Sequence, residues 1–216
     1  MTLFDDAEPT VYVPTVYVID DDASVCAALK DLFESIGLRA STFPSVAAFL
    51  EHPRTGGPSC LVLDVRMPGQ SGLDFHLQME GMGFRTPVVF ITAHGDIAMG
   101  VKAIKAGAVD FLTKPFRDQE LLDAVHAALD RDRRRMEQDK VASNLKTRWE
   151  TLSVGEREVF ALVVTGLLNK QIASELDIKE VTVKVRRARI MQKMSAASLA
   201  DLVRMSDQLK SVSSGH

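Results

Sequence analysis

Cysteine is scarce in this chain, with two residues in 216, Cys26 and Cys60. Both sit in stretches read as regular structure, so a disulfide framework and a thiolate metal cluster are excluded and two buried thiols are expected. No apolar run approaches the roughly 18 residues that cross a bilayer, and no membrane partner is expected. The opening MTLFDDAEPT is acidic and lacks the basic start and apolar centre of an export signal, so a cytoplasmic protein is expected. No Ser/Thr/Gly-rich loop follows the first apolar run, which excludes a flavin site there. What remains, 46% hydrophobic and 25% charged residues, is the composition of a globular protein with room for one large domain or two small ones.

Charge is unevenly placed. From Thr151 onward the chain holds ten Lys/Arg against seven Asp/Glu, a net of +3; residues 1–150 therefore hold sixteen against twenty-two, a net of −6. An acidic front and a basic back point to two domains with different partners.

Four polar signatures stand where strands of a parallel sheet would end: Asp20-Asp21-Asp22, Asp64, Thr92 and Lys114-Pro115. Each follows an apolar run, Val16–Ile19, Cys60–Leu63, Val88–Ile91 and Val109–Leu112. Ligands of open α/β sheets bind beyond the carboxyl ends of the strands, so these groups converge on one site. Two carboxylates a few Å apart repel by up to about 4 kcal/mol at an effective dielectric of 20. A hard cation such as Mg²⁺ removes that penalty, and Mn²⁺ can substitute for it. The ion can bridge Asp64 to a phosphoryl group, with Thr92 and Lys114 donating to its oxygens. A strand-end carboxylate beside a metal is a plausible nucleophile.

Strands and helices alternate from residue 16 to about 130, a (βα)₅ doubly wound parallel sheet of the flavodoxin type. The first 15 residues read as an extension holding a near-copy of the first strand, Thr10–Val13 before Thr15–Val18. An amphipathic helix from Val25 ends at Gly37, Arg39–Phe43 is a short strand, and Asp22 is an N-cap candidate. Residues 131–149 are charged and helix-favouring, a helical linker continuous with the fifth helix, with Arg133-Arg134-Arg135 on a solvated face. An all-α, four-helix domain covers 150–211, opened by a Ser153/Glu156 capping box, with a helix-turn-helix over 169–188 and a tail over 212–216. The spacing of its third helix puts Thr182, Arg186, Arg189 and Lys193 on one face, flanked by Lys184 and Arg187, with Val181, Val185 and Met191 turned inward.

The front half resembles the receiver domain of two-component response regulators, through Asp20-Asp21, LVLDVRMPGQSG, FITAHGD and GAVDF before Lys114-Pro115-Phe116. The resemblance implies a CheY-like fold, Asp64 as phospho-acceptor, and a sensor histidine kinase as donor. It implies that Asp21, Asp64 and the backbone carbonyl of Arg66 ligate Mg²⁺, with Asp20 acting through water. It also implies a cis Lys114–Pro115 bond and Phe111 as an aromatic that turns inward when Thr92 moves toward the phosphoryl group. His94 is read either as a loop residue or as a modulator of water access. Aspartyl phosphatases of the haloacid-dehalogenase type are similar but carry a second Asp two residues on, where this chain has Arg66. The pocket then holds a nucleophile and no acid to turn substrate over, so a stored phosphoryl group rather than an enzyme is expected.

The back half is similar to the LuxR/NarL effector class in LSVGEREV, GLLNKQIASEL and TVKVRRARIMQKM, and the whole resembles the FixJ subfamily. Double-stranded promoter DNA is the implied partner, with homodimerisation on phosphorylation and RNA polymerase as a further partner. Lys184 and Arg187 are the expected phosphate or base contacts, and Asn169 and Lys170 position the backbone. Asp177 stands where the class has glycine, and Lys179 where it has a capping Ser or Thr. Arg186 replaces a frequent histidine. Two other readings are a constitutive DNA-binding regulator whose receiver only dimerises or docks, and a receiver-type module that binds proteins and never DNA.

Overall fold

The computed structural model describes residues 12–53 and 56–213. The extension up to Val11 and the tail from Ser214 therefore lie outside the described residues. Two compact units divide at Met136/Glu137, inside the stretch read as linker.

In the first unit five strands run β1 (Thr15–Ile19), β2 (Arg39–Phe43), β3 (Ser59–Asp64), β4 (Val88–Thr92) and β5 (Asp110–Thr113). All neighbours are parallel, in the order β2-β1-β3-β4-β5. The strands are Val/Ile/Leu-rich because both faces are covered, the usual state of a parallel sheet. Alternation divides the core. Val16, Val18, Cys60, Val62, Val89 and Ile91 face one layer, while Tyr17, Ile19, Leu61, Leu63, Val88 and Phe90 face the other. On the first side lie α1 (Ala23–Ser35) and the start of α5 (Asp118–Glu150); on the second lie α2 (Val46–Leu50), α3 (Gly72–Met79) and α4 (Ile97–Lys105). The second of the two TVYV copies is the strand; Tyr12 of the first lies over Gly57, where an added Cβ would come within 2.6 Å of it.

Asp22 caps α1, accepting from Ser24 N at 2.8 Å and Val25 N at 3.4 Å, so it is committed to the helix end. Gly37 follows that helix at φ +80°. Both Cys26 and Cys60 are buried thiols. Burial drives the Cys60 thiol far above its usual range.

One tie was invisible in the pattern. Asp132 of α5, 1% exposed, accepts from the Ser59 amide at 2.8 Å and its hydroxyl at 3.4 Å, and its other oxygen pairs with Arg135. Arg133 and Arg134 are exposed as expected, whereas Arg135 is half-buried by this pairing. Asp132→Ala leaves two buried donors of Ser59 without that acceptor, so the first unit should lose about 2–3 kcal/mol. Urea unfolding should show a lowered midpoint for that unit, and Asp132→Asn, which keeps an acceptor, should cost less.

The second unit packs α6 (Val154–Val163), α7 (Asn169–Glu175), α8 (Glu180–Met194) and α9 (Leu199–Ser213) with the end of α5 around Leu152, Val159, Ile172, Val183, Ile190 and Met194. The α9 helix runs two residues past the start of the stretch read as tail.

Candidate functional site

Chain order reverses between β1 and β3, and Asp20 and Asp64 stand at the carboxyl ends of these two neighbours. Ligands of such sheets gather at this switch point. Asp20, Asp64 and Thr92 are all buried there. The Lys114 ammonium reaches across, 2.5 Å from Asp20 Oδ2 and 3.1 Å from Asp64 Oδ1. The Lys114–Pro115 bond is cis, and the Lys114 amide donates to the Thr92 carbonyl at 2.8 Å. The Arg66 amide donates to Asp64 Oδ2 at 2.7 Å while its side chain is exposed. Each oxygen of Asp64 therefore has its own donor, and the carboxylate is fixed in orientation. Gly72 makes the approach of α3 to β3 close: an added Cβ would lie 2.2 Å from the Asp64 carbonyl.

Burial pushes the Asp64 carboxyl above its usual range, against the pull of Lys114 and the Arg66 amide. Burial would lower the Lys114 ammonium, but Asp20 and Asp64 outweigh it and hold the ammonium above its usual value. Lys114 is thus a permanent cation between two acids. Among the described residues no three carboxylate, imidazole or thiol side chains stand together as a ready metal cage. The donors present are the Asp20 and Asp64 carboxylates and the exposed Asp21, which shares a groove with Arg66. Few, hard oxygen ligands suit Mg²⁺, which keeps several of its waters.

Beyond Thr92, the half-buried ring of Phe111 occupies room left by two glycines. An added Cβ would lie 2.9 Å from the ring at Gly95 and 3.3 Å at Gly100. The sequence reading missed these glycines, whose places in a turn and in a helix were the available signal. His94 is exposed, and its amide donates to Thr92 Oγ1 at 3.3 Å. Next to Phe111, α4 presents Ile97, Val101 and Ile104, spaced along one face and 89%, 46% and 48% exposed.

In the second unit α7 and α8 flank a turn in which Asp177 takes φ +49°, the left-handed conformation that Asp adopts more readily than most residues. Lys179 starts α8 with no side-chain cap. The phasing expected for α8 is corrected on one point: Val181 and Val185 face solvent, 62% and 46% exposed, and only Met191 turns partly inward. The buried line is Val183, Ile190 and Met194.

The basic stripe divides accordingly. Arg186 donates to the Gly155 carbonyl at 3.3 Å, and a Cβ at Gly155 would collide with its guanidinium. Arg187 donates to Asn169 Oδ1 at 3.0 Å. Lys193 reaches Glu156 at 2.7 Å and the Thr151 carbonyl at 2.9 Å. These three cations turn to acceptors on α6, on α7 and just before α6. Lys170, Lys184 and Arg189 are exposed, with Thr182 half-buried at the edge. The outer face of α8 is thus Val181, Lys184, Val185, Ala188, Arg189 and Gln192.

Ser153 and Glu156 form the expected capping box. Burial pushes the Glu156 carboxyl up, but Lys193 and Ser153 outweigh it and hold it below its usual range. A depressed carboxyl stabilises the fold above its unfolded value, and that contribution fades as pH falls through the folded one. Glu156→Gln should therefore cost about 1–2 kcal/mol at pH 7. In urea unfolding against pH, the gap to the native protein should narrow below the carboxyl's ordinary pKa of 4.5.

Comparison with known proteins agrees with this geometry. Residues 16–126 match the response regulator receiver domain, and residues 150–206 match the bacterial regulatory proteins of the luxR family. Nodulation protein W of Bradyrhizobium diazoefficiens is 52% identical over 93% of this chain and 88% of its own length. Transcriptional regulatory protein FixJ of Azorhizobium caulinodans is 45% identical over 88% of this chain and 90% of its own. The solved structure of response regulator StyR superposes with a TM-score of 0.83 at 47% identity, covering 91% of this chain and 100% of that one.

Proposed function

The chain belongs to the response regulators that join a receiver to a LuxR-type DNA-binding domain, and on that premise we propose how its two sites act together. It is a DNA-binding transcriptional regulator of a two-component system. A sensor histidine kinase donates the phosphoryl group. An Asp64 oxygen attacks phosphorus as the bond to the kinase's histidine nitrogen breaks, leaving an acyl phosphate and a free imidazole. Lys114, already between Asp20 and Asp64, takes up charge on the phosphoryl oxygens, and the Thr92 hydroxyl donates to another. Asp21, Asp64 and the Arg66 carbonyl would hold Mg²⁺, with Asp20 acting through water. Bound there, the ion neutralises charge on the transferring group.

The observation that carries this reading is the carboxylate of Asp64, buried, aligned by two donors and next to a fixed cation. Movement of Thr92 toward the phosphoryl group draws Phe111 inward and changes the α4–β5 surface. The apolar stripe of α4, Ile97, Val101 and Ile104, then pairs with that of a second copy. Two effector units meet two DNA half-sites about one helical turn apart. Lys170, Thr182, Lys184 and Arg189 contact DNA directly, while Asn169, Arg186, Arg187 and Lys193 set the position of α8. RNA polymerase is the further partner at the promoter, and the work is cytoplasmic. Among the described residues no helix is long and apolar enough to cross a membrane.

The test is promoter footprinting of the full chain with and without acetyl phosphate and Mg²⁺. Protection should spread over two half-sites only when both are present. Equal protection under all conditions would overturn the switch.

A further inference from the structure

The second unit carries a groove that neither the phosphoryl pocket nor the outer face of α8 uses. Two helix faces wall it: Ala142, Leu145 and Trp149 on α5, and Arg157, Phe160 and Ala161 on α6, with Val164 at the C-cap of α6. Ser206 and Leu209 of α9 close one side. The cavity holds about 810 Å³, within the range of small-molecule sites. Leu145 and Phe160 are buried in it, and the Trp149 ring meets Phe160 edge-on with centroids 5.0 Å apart.

The rim carries Lys146, Arg157, Glu150 and Lys210, the last 3.8 Å from the Asp207 carboxylate. The Arg157 guanidinium lies 5.4 Å from the Trp149 ring centre and donates to the Glu150 carbonyl at 3.2 Å. Its Nε is buried without an acceptor among the described residues. A buried donor left unmet is costly. An apolar trough with Arg157 and Lys146 at its edge complements a molecule with an apolar body and one anionic end.

We propose that this groove is a binding site for an amphipathic carboxylate. The ligand's ring or alkyl body lies against Trp149, Phe160 and Val164, and its carboxylate is held at the rim by Arg157 and Lys146. The site is independent of Asp64 chemistry, and binding there braces α6 and α9 against the end of α5. Specificity comes from the pairing of one anion with an apolar body; acetate lacks the body, and a neutral alcohol lacks the anion.

Trp149 is the only tryptophan in the chain, so its emission reports occupancy directly. Titrating the full chain with 4-phenylbutyrate should shift that emission saturably. The neutral 4-phenylbutan-1-ol should bind about tenfold more weakly, and Arg157→Gln should weaken the acid by about the same factor. Ala161→Phe, which fills the groove from α6, should abolish the shift while the far-ultraviolet dichroism is kept. A response that does not saturate, equal binding of acid and alcohol, or full binding by a folded Ala161→Phe protein would each overturn the site. If Ala161→Phe does not fold, the Arg157→Gln affinity decides by itself.

Discussion

Asp64→Asn is expected to remove the whole of the phosphodonor-dependent gain in promoter occupancy while leaving a folded protein. An amide cannot form the acyl phosphate, yet it can still accept from the Arg66 amide, which holds the carboxylate at 2.7 Å in the native chain. Lys114 keeps its pairing with Asp20, so the pocket stays neutralised. The size of the loss follows from the switch itself. Driving a receiver from about 1% to 99% active takes roughly 5.5 kcal/mol of differential stabilisation, all of it withdrawn with the phosphoryl group. Gel-shift titrations of native and variant chains, each with acetyl phosphate and Mg²⁺, check this. A variant that still tightens on DNA with donor present would place the acceptor away from Asp64, whereas a native chain whose affinity donor leaves unchanged would support the constitutive reading, in which the receiver only dimerises or docks.

The second large effect belongs to the outer face of α8. Lys184→Ala with Arg189→Ala should weaken promoter binding by about one to two orders of magnitude, as two exposed cations leave the face proposed to meet DNA. If both neutralise phosphates, the slope of log affinity against log salt should flatten by about 0.9 for each. Arg186→Ala and Lys193→Ala act differently, because those cations are spent on the Gly155 carbonyl and on Glu156. Their loss should lower the unfolding midpoint of the second unit more than the salt slope. A flattened slope in Lys193→Ala with unchanged stability would reverse that division.

The convergence at the strand ends was legible because the residues involved sit at one repeated place. Asp20, Asp64, Thr92 and Lys114 each follow an apolar run, and a parallel sheet brings all strand ends to one edge. Gly37, Asp177 and the Ser153/Glu156 box were legible because each is a local rule of backbone or cap.

What was misread on α8 has one physical cause. Arginine and lysine bury their stems while their heads find acceptors, and α8 holds more apolar residues than its one buried line of Val183, Ile190 and Met194 takes up, so apolar type alone does not say which of them turn inward. Here the Gly155 carbonyl and the Glu156 carboxylate on α6 draw Arg186 and Lys193 to that side, and Val181 and Val185 turn outward. The Asp132–Ser59 tie joins residues 73 apart, beyond any periodic signal. The groove around Trp149 arises from three helices, two of them far apart in sequence, so no single stretch announces it.

The most direct test of the account is intact-mass measurement of the full chain after incubation with acetyl phosphate and Mg²⁺, with peptide mapping of the adduct. The expected result is one phosphoryl group per chain, located on Asp64 and absent when the metal is chelated. An unmodified chain, or an adduct that persists in Asp64→Asn, would contradict it.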